Sequence, residues 1–174
     1  MRRLREFRKD NEGAAAIEFA FLVPILLVIM FAAVALYVLF RDAKIAEKST
    51  FTVGDIVSRK TTVDVDFLKS SYELFLRMTE RPATDVKFRI SSLKKDKGAF
   101  KVDWSYAVAP QVALKDALIP AAKLPLVSDG DSLVIVETTV NPKSFKTYFP
   151  IGVSDYQNAE FVRPRFTAAI SKTN

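Results

Sequence analysis

The chain has 174 residues, enough for one modest soluble domain plus an extra segment and too few for two large domains. Its 26 Lys and Arg against 20 Asp and Glu give a net charge of +6, spread along the chain rather than gathered on a basic face, so nucleic-acid binding is not expected. With no cysteine and no histidine, disulfides, the common zinc sites, thiolate nucleophiles and histidine acid–base chemistry are excluded, and no cofactor or metal is expected. Five scattered glycines make neither a P-loop nor a dinucleotide fingerprint.

In chain order, residues 1–12 are polar and mostly basic, with Arg2, Arg3, Arg5, Arg8 and Lys9 against Glu6, Asp10 and Glu12. From Ala14 to Phe40 the chain is apolar apart from Glu18, and Phe19–Phe40 is a run of 22 residues without a charge. About 20 apolar residues cross a hydrocarbon core, and a buried soluble helix would keep a polar face that this run lacks. The run therefore predicts a membrane helix over 14–40. Pro24 falls inside it and predicts a bend over Ala20–Pro24, because its ring crowds the carbonyl four residues back.

Residues 41–60 mix Ile45, Phe51, Val53 and Ile56 with charges and read as a helical stalk, with Gly54 and the β-branched residues near it blurring its end. A second helix is predicted over Asp66–Glu80, stopped by Arg81-Pro82. The period then switches to two. Val86, Phe88 and Ile90 form one strand, and Phe100, Val102, Trp104, Tyr106 and Val108 a second, joined by a hairpin loop at Lys94–Gly98. Pro110–Pro125 reads as irregular, with a short helix around Val112–Leu118. Residues 132–140 predict a third strand, and Phe161–Ile170 a fourth with an edge position or break at Pro164. The expected fold class is α+β: a transmembrane and stalk helix, then a domain over 61–174 with one helix laid on an antiparallel sheet.

Three readings compete at the N-terminus. A cleaved secretory signal has a site at Ala33-Val34-Ala35, but its apolar stretch is too long. An uncleaved signal anchor fits the length, although basic residues on both flanks weaken the charge argument for orientation. The third uses Gly13 at the junction of leader and apolar run, with the lone carboxylate Glu18 following. A carboxylate in a membrane segment is costly and calls for a partner, and Ala14 lies one helical turn before it. The bland alternative is that Glu18 snorkels to the interface.

The string GAAAIEFAFLVPILL at residues 13–27 resembles the processing site of type IV prepilins, and within them the TadE-like minor pseudopilins of tight-adherence (Tad) pilus systems. The resemblance implies that a prepilin peptidase cuts after Gly13, making Ala14 the new N-terminus and Glu18 its fifth residue, with Phe19 and Pro24 in the assembly segment. It implies a structural, non-enzymatic subunit of the inner membrane with a cytoplasmic N-terminus. Its partners would be the peptidase, other pilin and pseudopilin subunits and the assembly machinery, and its task surface attachment. The likeness covers about the first 45 residues, with weaker echoes at Val134–Glu137 and Val162–Phe166.

Other groupings have plainer explanations. Asp64-Val65-Asp66 and Asp129-Gly130-Asp131 lack the further ligands of a calcium loop and read as turn chemistry. Trp104, Phe145, Tyr148 and Phe149 suit core packing better than an adhesive patch. Arg163 and Arg165 read as a solvated strand face.

Overall fold

The computed structural model describes residues 12–120, 124–142 and 154–173. The leader up to Asn11, and Phe145, Tyr148 and Phe149, lie outside the described residues. The chain divides into two compact units, residues up to Phe40 and residues from Arg41 onward.

Helix α1 runs over Glu12–Ser58, 47 residues, and is unbroken by either Pro24 or Gly54. After it comes the short strand β1 (Thr62–Val63), then helix α2 (Val65–Thr79). Asp64 caps α2: its side chain accepts a 2.7 Å hydrogen bond from the Phe67 N–H, so this residue is turn chemistry. Glu80 closes the helix in the left-handed region, with φ 52°, and Pro82 follows. Strands β2 (Val86–Asp96), β3 (Ala99–Val108), β4 (Ser132–Val140) and β5 (Tyr156–Val162) form an antiparallel sheet in the order β3-β2-β4-β5. The last element, β6 (Ser171–Lys172), pairs in parallel with β1.

Alternation along the strands builds two cores. On the front face, Phe88, Ile90, Val134 and Val136 meet Leu68, Tyr72 and Phe75 of α2. The Phe88 ring lies 5.3 Å from Tyr72 and 5.6 Å from Phe75, both tilted contacts. The final turns of α1 add Ala46, Val53 and Val57, spaced as one helical face. Thr50 joins them through a buried 2.7 Å hydroxyl contact with Thr138 of β4. On the back face, Leu93 and Ile135 pack with Leu114, supported by Phe100, Val102 and Phe161.

The α+β class with an apolar N-terminal helix is what the structure contains, and four details of the expectation change. First, two helical segments lie on the sheet, since residues 41–58 of α1 contribute a buried face alongside α2. Gly54 does not end the helix. A Cβ there would stand 3.3 Å from Glu160 Cγ and 3.4 Å from Val162 Cγ1, so glycine permits the close approach of α1 to β5. Second, the hairpin loop shrinks to Lys97-Gly98, whose φ angles of 50° and 82° match the two-residue turn that follows strand twist. Third, the helix near Val112–Leu118 is only a 3-10 turn at Asp116–Leu118, and its segment covers the back of the sheet. There the Asp116 carboxylate accepts from the Val102 N–H at 2.7 Å, and Ser105 Oγ accepts from the Leu114 N–H at 2.8 Å.

The fourth strand is the fourth correction. It lies at Tyr156–Val162 and shares only Phe161 and Val162 with the expected Phe161–Ile170. Pro164 lacks the N–H a ladder needs, and beyond it the chain becomes a strap. Arg163 is exposed, as expected of a solvated face, and its guanidinium also donates to the Leu126 carbonyl at 2.5 Å. Arg165 pairs with Asp55 of α1 through its side chain, and its N–H bonds the Ser58 carbonyl at 2.8 Å. Trp104 is buried as expected, and its ring N–H donates to the Ile170 carbonyl at 2.6 Å, tying the strap to β3.

Candidate functional site

The sequence-predicted site residues all fall on the first turns of α1. Gly13 is helical and exposed; its φ is not left-handed, and a Cβ on it would meet nothing within 4 Å. Nothing in the described fold calls for glycine at this position. Ala14 and Glu18 are four apart on one helix, hence on the same side. Glu18 is exposed, and among the described residues its carboxylate has no hydrogen-bond or ion-pair partner. Phe19 is 69% exposed, and Pro24 continues the helix without interruption.

The helix around these residues is long and apolar enough to cross a membrane, with a mean hydropathy of 2.9 over its most apolar stretch. Phe21, Leu22, Ile25, Val28 and Phe31 are all more than half exposed. An apolar surface of this extent is not left to water by a soluble monomer. The uncharged run rises about 33 Å at 1.5 Å per residue, against a hydrocarbon core of about 30 Å. What this end of the molecule can do is therefore insert into lipid or pack against other apolar helices.

Among the described residues, no three His, Cys, Asp or Glu side chains converge to hold a metal ion. A groove of about 390 Å³ on the back of the sheet is lined by residues such as Lys87, Thr139 and Gln157, while its Glu137 is already engaged by Arg89. Burial raises the pKa of Glu160 from its ordinary value, and the nearby Glu47 carboxylate adds to the shift. Sequence reasoning did not single out Glu160, because its significance comes from α1 closing over it at Gly54.

No curated protein and no solved structure matches the chain. The segment that holds Gly13, Ala14, Glu18, Phe19 and Pro24 does match a family model, the one its motif resembles: residues 13–48 are similar to the TadE-like proteins.

Proposed function

We propose that the chain is a minor pilin-like subunit, a pseudopilin, that takes part in assembling a tight-adherence pilus used for surface attachment. Residues 1–13 are the leader, removed by a prepilin peptidase that cuts between Gly13 and Ala14. Residues 14–40 remain as membrane anchor and assembly core, leading through 41–60 into a domain over 61–174. The anchor sits in the inner membrane, with the N-terminus cytoplasmic and the domain outside. The role is structural, and no residue is assigned to catalysis.

One observation carries the reading. Among the described residues no turn, close approach or left-handed backbone requires a glycine at Gly13, which stands where the TadE-like match begins. A requirement outside the fold, recognition by a peptidase, accounts for it. Glu18 follows the same logic. It is a carboxylate on an apolar helix with no partner among the described residues, and a neighbouring subunit's new N-terminal ammonium at Ala14 would supply one. Phe19 then packs in the subunit contact. Pro24 leaves the Ala20 carbonyl without its helical donor, giving the assembling helix a point of bending.

The test is Gly13→Ala. Because a Cβ fits there without contact, the change leaves the fold intact and reports on recognition alone. The expected result is accumulation of the unprocessed form in membranes and loss of the subunit from pili. Processing at the wild-type rate would contradict the proposal and favour a signal-anchored protein outside any pilus.

A further inference from the structure

The apolar run ends at Phe40, and α1 continues without a break into a stretch whose two faces differ sharply. One face, with Ala46, Thr50 and Val53, is buried on the sheet. The opposite face presents Arg41, Lys44 and Lys48, all exposed. At 100° and 1.5 Å per residue these three fall within an arc of about 60° and about 10 Å of axial rise.

The carboxylates on these turns are already committed. Asp42 points to Arg81, which follows the end of α2, and forms an ion pair with it. Glu47 lies 2.7 Å from Lys44 in an open pair, with the two side chains 60% and 77% exposed. A pair that exposed is weak and leaves Lys44 free to share its donors. Among the described residues Arg41 and Lys48 have no carboxylate partner. The stripe is therefore a net cationic surface within the two turns that follow the membrane-length run.

We infer that Arg41, Lys44 and Lys48 form a binding surface for anionic phospholipid headgroups on the side of the membrane where the domain lies. The inference rests on the anchoring reading above. The headgroup layer is about 5–8 Å thick on each side of the hydrocarbon core. Arg41 and Lys44 lie at phosphate depth, and the Lys48 stem is long enough to reach back toward it. The planar fork of Arg41 suits two phosphate oxygens, and the two ammonium groups add point charge. The burial of the opposite face fixes which side of the helix meets the lipid. A flanking cluster on this side runs against the usual cytoplasmic bias of Lys and Arg, and headgroup binding gives it a purpose.

The full chain in nanodiscs of equal parts phosphatidylcholine and phosphatidylglycerol provides the test, with retained lipids counted by native mass spectrometry. The wild type retains phosphatidylglycerol in preference. Arg41→Gln with Lys48→Gln lowers that preference by ~10-fold while leaving the thermal melt of the domain in place. Equal retention of both lipids by the wild type, or an unchanged preference in the variant, overturns the inference. Crosslinks through Lys48 between two copies, without lipid preference, would assign the stripe to a second subunit and overturn it too. A chain that fails to enter any bilayer defeats the anchoring reading itself, and this inference with it.

Discussion

Arg89 and Glu137 face each other across β2 and β4 on the back of the sheet. The guanidinium donates to both carboxylate oxygens, at 2.6 and 2.8 Å, and to the Val112 carbonyl at 3.1 Å. It thus pins the covering segment to the sheet. Arg89→Ala would strand Glu137 in a site where its side chain is only 23% exposed. Partial exposure softens the penalty for an orphaned buried charge, so the expected loss is about 2–3 kcal/mol of unfolding free energy in a urea melt of the domain. Replacing both partners together, Arg89→Met with Glu137→Leu, should recover most of that loss. Glu160 predicts a pH effect of opposite sense to the usual carboxylate. Its folded pKa is raised, by burial first and the Glu47 charge second, so the folded state holds the proton more tightly than the unfolded chain. Its stabilising contribution is complete below the unfolded pKa and is lost as pH rises through the folded one. Glu160→Gln should accordingly melt higher than wild type above that window, with the two curves converging near pH ~4 and below.

At the scale of elements, Gly54 separates two changes that a helix-propensity argument would rank together. Gly54→Ala gains about 1 kcal/mol of helix propensity against one tight Cβ contact, and should be close to neutral. Gly54→Leu has nowhere to go against β5 and should cost about 2–3 kcal/mol, read as a lower melting temperature of the domain. The same glycine marks where the sequence stops being legible. Its composition signals a helix end, whereas its use depends on a strand about a hundred residues later. Strand β5 was obscured for a related reason. Asn158 and Glu160 sit on the face that meets α1, so the apolar alternation that marked β2 and β3 is absent, and Phe166–Ile170 drew the expected strand too far along. By contrast β2, β3 and β4 were legible because each buries a regular apolar face, and α2 because its stripe and its Asp64 cap are local signals. The covering role of the Pro110–Pro125 segment was hidden, since an irregular segment carries no period.

For the whole molecule, the apolar helix and its match to the TadE-like family are legible from one end of the chain because that motif is local. Gly13 and Glu18 could be singled out without knowledge of any contact. Spacing alone also pointed to Ala14, one helical turn before Glu18, as the place of its partner. The domain contributes a two-faced core with Arg89, Trp104 and the Arg165 strap as its polar ties, and it has no match that assigns it a task. The central claim is therefore tested at the N-terminus: intact mass and terminal sequencing of the protein isolated from membranes of the producing cell. The account predicts a chain that begins at Ala14 and retains the apolar helix. A chain that still carries Met1, or one that begins at Leu36 after cleavage within the run, would contradict it.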